Sequence, residues 1–378
     1  MTPAAPLRVV HVITTLTTGG AERQLESIVG RTRHQTATIC LYGSGTVGDA
    51  MVASGQRVEV LGMDGWRKAV AVFRLAARIR RYRPDVVHVH LLAAQLWGIP
   101  AARLAGVPVI VSSEHSLMAT TIEGRPLSAW LRRLYLALER LTTRTVAVSA
   151  TTRERLVAWG VRPARIEVVD NGIEFEALRF SSTARASVRA ELGLDEQAVV
   201  VGAVGRLDAV KRMDRLVRAL APRLRSGDAW LAVAGDGPLR PELEALATEL
   251  GVADRVLLLG ARPDVPAVLS ALDLLVSPSR DETFGMAVVE ALGSGLPVVY
   301  AQCPAIDEAQ VQCSWAVELP PGADGDDELL AISGAVDDLL AHGRTRHPAP
   351  GRLVERYGIA STVERLDSLY DELRAAAG

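Results

Sequence analysis

Short runs of β-branched and other apolar residues alternate along the chain with longer amphipathic segments studded with arginine. Apolar runs of four to six residues suit strands buried on both faces, and a spacing of three to four marks a helix face. In the first half the pattern predicts strands over 8–13, 37–41, 57–61, 86–90, 107–112, 145–149 and 166–169. Helices are predicted over 21–29, 68–82, 93–105, 127–141 and 150–159. The alternation restarts after 178–193, with strands over 199–204, 230–234, 256–259, 274–277, 297–300 and 315–318. Helices there are predicted over 213–224, 239–250, 265–271, 286–293, 327–342 and 360–377. Strand and helix in alternation imply parallel sheets covered by helices, an α/β class. Two series imply two Rossmann-like domains, 1–175 and 176–359, linked near 170–179. Asp170-Asn171-Gly172 is a turn signal built from residues that tolerate positive φ. Such sheets bind ligands beyond the carboxyl ends of their strands, so a cleft between the domains is the expected site.

Composition adds little until it is divided. Of 378 residues, 49% are hydrophobic and 23% charged, the ordinary globular mix, and the formal net charge of -2 excludes a nucleic-acid polycation. Residues 1–180, however, carry 23 basic and 14 acidic side chains, a net of +9, and the remainder a net of -11. Lys68 and Lys211 are the only lysines and Asn171 the only asparagine. No signal peptide is expected from the start of the chain, and no uncharged stretch reads as a free-standing membrane helix. Cys40, Cys303 and Cys313 cannot all pair with one another and read as reduced thiols of a cytoplasmic protein.

Several loops after predicted strands carry chemistry. Gly19-Gly20, followed by Ala21-Glu22, opens a helix whose free amides suit phosphate, or simply makes a tight turn. Gly205-Arg206-Leu207 with Lys211 offers a guanidinium fork and an ammonium point charge, a candidate diphosphate clamp. Gly235-Asp236-Gly237-Pro238 reads as a turn or a ligand loop, and Arg262 could lie beside a base. The most specific stretch is Glu282-Thr283-Phe284-Gly285-Met286, with Glu290 one turn into the next helix in apolar company. A carboxylate there needs donors, and either sugar hydroxyls or a buried arginine would serve. His88 and His90 share one face of a strand, and His11 and His115 sit at or near strand ends. No spacing is diagnostic of a metal. His115 suits either a substrate contact or a structural role.

In this order, these motifs resemble the family 4 glycosyltransferases of the GT-B fold over nearly the whole chain. The resemblance implies two facing Rossmann-like domains, the last helix crossing back to the first. It implies retaining transfer from a nucleotide diphosphate sugar, a UDP-sugar on family frequency, without a metal. Carried over by motif, Arg206 and Lys211 hold the diphosphate, and Gly19, Gly20 and nearby amides approach it. Glu290 takes the ribose hydroxyls. Glu282 with the amides of Phe284 and Gly285 grips the donor sugar, and His115 lies near the reacting sugar and acceptor. Where many members carry Gly-Gly-x-Pro-Glu, this chain has Gln302-Cys303-Pro304-Ala305-Ile306-Asp307-Glu308, so donor identity does not transfer.

The acceptor is a glycan, a lipid-linked molecule or a small metabolite. Basic segments over 66–84 (Arg67, Lys68, Arg74, Arg78, Arg80, Arg81, Arg83) and 127–141 (Arg132, Arg133, Arg140 beside Trp130) suit either solvated helix faces or contact with anionic membrane. Rival functions are a nucleotide-sugar epimerase of the same architecture and a non-catalytic nucleotide-sugar-binding protein.

Overall fold

A computed structural model describes residues 5–64 and 70–378, and Trp66, Arg67 and Lys68 lie outside it. The chain divides into two compact units, Met1–Gly172 with Tyr357–Gly378, and Ile173–Arg356.

The first unit holds β1 (Arg8–Leu16), β2 (Gln35–Ser44), β3 (Val58–Val60), β4 (Val86–His90) and β5 (Val109–Glu114), the two-residue hairpin strands β6 (Thr121–Ile122) and β7 (Arg125–Pro126), then β8 (Arg144–Ala147) and β9 (Ile166–Val168). Its parallel sheet runs in the order β3-β2-β1-β4-β5-β8-β9. Alternation along β4 sends Val87 and Val89 into a core under the helices Ala71–Tyr82 and Leu92–Ala105. Val86, His88 and His90 face the other way. On that face the last helix, Ile359–Ala376, buries Val363, Leu366, Leu369, Tyr370 and Leu373 against Val9, Val86, Val109 and Val111.

The DNG turn works differently from its sequence reading. Neither Asn171 nor Gly172 adopts a positive φ. Glycine is needed at 172 because a Cβ there would lie 2.6 Å from Ile359 Cδ1 and 2.9 Å from its Cα. The returning helix therefore requires a bare backbone at this point.

The second unit holds β10 (Val200–Val204), β11 (Trp230–Ala234), β12 (Val256–Gly260), β13 (Leu274–Ser277), β14 (Val298–Tyr300) and β15 (Ala316–Glu318), in the parallel order β12-β11-β10-β13-β14-β15. At the amino ends of β10 and β13, buried Asp273 accepts from Arg185, Arg189 and the Val200 amide at 2.8–2.9 Å. Four helices were not predicted: Thr46–Ala53, Pro304–Ala309, Gly351–Tyr357 and Ser182–Glu191. The first contains Gly48 and the second starts on proline, and both are short.

Candidate active site

In the second unit β10 and β13 are neighbours, but their next strands lie on opposite sides, so the strand order reverses between them. Loops that diverge at such a point leave a crevice at the carboxyl ends of the strands. Lys211 comes from the loop after β10 and Glu282 from the loop after β13. Lys211 Nζ donates to Glu282 Oε1 at 2.6 Å. Lys211 ends a short turn, Ala209–Lys211, whose N-cap Asp208 accepts from the Lys211 amide. Glu282 is 6% exposed, and its amide donates to Gln302 Oε1 at 3.0 Å. The stretch that begins at Gln302, where the sequence departs from the resemblance, therefore holds the backbone of Glu282.

Gly285 turns the chain into the helix Met286–Gly293 with φ +92°. A Cβ there would lie 2.5 Å from Cys303 Sγ. The buried Cys303 thiol donates to Phe284 O at 3.5 Å, and burial pushes its pKa up. Thr283 and Phe284 are buried, while Met286 and Glu290 are half-buried, Glu290 one turn into the helix.

Arg206 is exposed and pairs with Asp208 at 2.8 Å. The Gly235-Asp236-Gly237 loop is bonded to the neighbouring turns: Gly235 N donates to Gly260 O at 2.8 Å and Leu207 N to Asp236 O at 3.0 Å. The exposed Asp236 carboxylate accepts from the Gly237 amide at 2.8 Å. Arg262 follows β12, and its guanidinium is engaged by Asp264, at 2.8 Å, and by Glu191. These acids raise its pKa. A cluster absent from the sequence reading backs the Lys211 and Glu282 loops: buried Glu328 accepts from Arg212 and, at 2.9 Å, from Arg280. Both arginines adjoin site residues in sequence, but Glu328 lies 46 residues beyond Glu282, so nothing local signals it.

In the first unit Gly19 is the N-cap of the helix Gly20–Val29. Glu22, in its first turn, is buried and accepts from Thr15 Oγ1 at 3.2 Å. Burial raises its pKa. Its carboxylate rests against Gly19, so an acid occupies the helix entry where amides were expected to meet phosphate. His11, His88, His90 and His115 form one cluster. His11 Nδ1 lies 3.1 Å from His90 Nε2, and His90 Nδ1 lies 3.5 Å from His115 Nε2. His88 is bonded on both nitrogens, to Tyr370 Oη at 2.6 Å and Ser113 Oγ at 2.7 Å. Nitrogens of His11, His88 and His90 converge within 4.8 Å, although no sequence spacing marked them. Burial lowers His11 to about 3 and His115 to about 4, and holds His88 and His90 well below 6.5. Beside His115, buried Glu114 accepts from the Ser116 amide at 2.9 Å and from Tyr135 Oη at 3.0 Å. These bonds fix the turn that carries the histidine.

Comparison with known proteins bears on both units. Residues 18–177 match the family described as Glycosyltransferase Family 4, and residues 198–339 match Glycosyl transferases group 1. A 2-deoxystreptamine N-acetyl-D-glucosaminyltransferase of Streptomyces fradiae is 33% identical over 330 residues, covering 82% of this chain and 76% of that protein. A 2-deoxystreptamine glucosyltransferase of Streptomyces kanamyceticus is 32% identical, covering 64% and 66%. A D-inositol 3-phosphate glycosyltransferase of Thermobispora bispora is 30% identical, covering 80% and 73%. Among solved structures, Anabaena HepE in complex with UDP-glucose superposes with a TM-score of 0.82 at 22% identity, covering 97% of this chain and all of that one. The lipopolysaccharide glycosyltransferase WaaG superposes at 0.64 with 19% identity and 98% of each chain.

Proposed function

The chain belongs to the family 4 glycosyltransferases of the GT-B fold, and on that premise we propose that it moves a hexosyl group from a UDP-sugar to a polyol acceptor with retention of anomeric configuration. The observation that carries this reading is the Lys211–Glu282 pair at the switch point of the second sheet. It sets a cation for a diphosphate beside an acceptor of sugar hydroxyls, the two sides of the bond that breaks in a nucleotide sugar. Arg206 and Lys211 would stabilise the charge that grows on the leaving diphosphate, so that no metal is needed. Glu282 and the amides of Phe284 and Gly285 would orient the sugar, and Glu290 would accept from the ribose. Gly235, Asp236, Gly237 and Thr283 would shape the donor loop, with Met286 at the helix start. Gly19, Gly20 and His115 would serve from the first unit. Arg262 would assist at the base only by leaving its two acids. UDP is favoured because HepE was solved with UDP-glucose, and a cyclitol-like acceptor because the relatives above act on 2-deoxystreptamine or inositol phosphate.

The test is incubation with UDP-glucose or UDP-N-acetylglucosamine and 2-deoxystreptamine or inositol 3-phosphate, followed by NMR of the product. An α-linked product with release of UDP is expected. A β-linked product would refute retention. Conversion of the donor without an acceptor would favour an epimerase.

A lipid-linked acceptor is a second reading, because Trp130 is 70% exposed on a helix that carries Arg132 and Arg133, and Phe73 is 67% exposed on another with four arginines. Among the described residues no helix is long and apolar enough to cross a membrane, so contact would be peripheral. Co-sedimentation with phosphatidylglycerol vesicles at low salt is expected on this reading, and its absence would remove it.

A further inference from the structure

Three histidines of the first unit, His11, His90 and His115, lie in series. His11, on β1, is fully buried, and His90, at the end of β4, is 2% exposed. His11 Nδ1 meets His90 Nε2 at 3.1 Å, and His90 Nδ1 meets His115 Nε2 at 3.5 Å. His11 Nε2 is buried with no hydrogen-bond partner. A neutral imidazole carries one proton, and each bond in the series needs one donor and one acceptor. Only two arrangements satisfy both bonds. In the first, His11 Nδ1–H donates to His90 and His90 Nδ1–H donates to His115, which then carries its own proton on Nδ1. In the second every proton is on Nε2, and His11 buries an N–H with no acceptor. A buried orphan N–H is the rarer and costlier defect, whereas a bare ring nitrogen is tolerated better.

We propose that His90, backed by His11, is a positioning residue that locks His115 as the Nδ1–H tautomer, so that His115 meets substrate as a hydrogen-bond donor and not as a base. This rests on the reading that His115 faces the reacting sugar. The series also cannot relay protons in either direction. His115 Nε2 carries none to pass inward, and shifting the two bonded protons outward would leave His11 short of one, because nothing bonded to its Nε2 can supply it. His115 thus recognises an acceptor oxygen, such as a sugar hydroxyl lone pair or a leaving-group oxygen. The partners of His88, Tyr370 and Ser113, keep that ring out of the series.

Long-range 15N–1H NMR of the full chain labelled in histidine reads the tautomers directly. His115 is expected as Nδ1–H with a bare Nε2, against the Nε2–H preference of free imidazole. In His90→Gln, whose amide has a different donor pattern, His115 is expected to lose that single form. Turnover is expected to fall about tenfold, roughly the loss of one hydrogen bond, with the KM for donor little changed. A wild-type His115 in the Nε2–H form, or as imidazolium at neutral pH, would overturn the proposal. So would an unchanged tautomer in a folded His90→Gln. So would a tightly held metal ion at one per chain, since its ligands would be these nitrogens. A locked tautomer with a fully active His115→Ala would leave the lock standing and remove His115 from the reaction, which separates the two claims.

Discussion

Glu282 is held from two sides, its carboxylate by Lys211 and its amide by the side chain of Gln302. On the proposed reading, a carboxylate fixed this way would need no reorganisation to receive sugar hydroxyls, the condition under which hydrogen bonding contributes most to catalysis. Glu282→Gln keeps the size but removes the charge. Its kcat/KM is expected to fall about a hundredfold or more, with a melting temperature near wild type, as measured by steady-state kinetics and calorimetry. Gly285→Ala acts through the backbone instead. The φ of +92° and the 2.5 Å approach to Cys303 Sγ leave no room for a methyl group. A loss of about 1–3 kcal/mol in denaturant unfolding is expected, and Cys303→Ala should recover part of it by clearing the contact.

At the scale of elements, buried polar clusters tie helices to sheets. Asp273 joins the helix Ser182–Glu191, through Arg185 and Arg189, to the start of β10. Asp273→Asn would leave Arg189, 1% exposed, without its counter-charge. A cost of about 3–5 kcal/mol is expected from urea unfolding. The histidine cluster is expected to make the first unit acid-labile. Its groups have folded pKa values below 6.5, with His11 at about 3 and His115 at about 4, so only the unfolded chain takes up protons between pH 6.5 and 4. Stability is therefore full above pH 6.5 and lost as pH falls through that window. The melting temperature should drop steadily from pH 7 to 5, and a flat profile would contradict the burial. Of this, β-branched runs made every strand of the two main sheets legible, because parallel strands are apolar on both faces. The same periodicity placed His88 and His90 on one face. It could not show that β1 brings His11 beside them, since pairing order is not a local property. Helices such as Pro304–Ala309 lack a periodic face, and only packing defines them.

For the whole molecule, the charge division follows the units. The first unit, with its returning helix, carries 24 basic and 16 acidic residues, and the second 18 and 28. Moving the last helix to the first unit changes the half-chain values by little. The second unit is thus acidic in bulk, and on the proposed reading an anionic nucleotide would be held there by local groups against that field. Much of its basic charge is already committed, Arg262 to Asp264 and Glu191, Arg212 and Arg280 to Glu328. Lys211 carries the largest share of the claim, and the motifs around it were legible as a family pattern, whereas the acids that engage its neighbours were not. Calorimetric titration of UDP into the wild-type chain and into Lys211→Ala tests it most directly. The account predicts saturable binding at one site per chain that weakens at least tenfold in the folded variant, roughly the loss of one charged hydrogen bond. Equal affinity of the two proteins for UDP would contradict it.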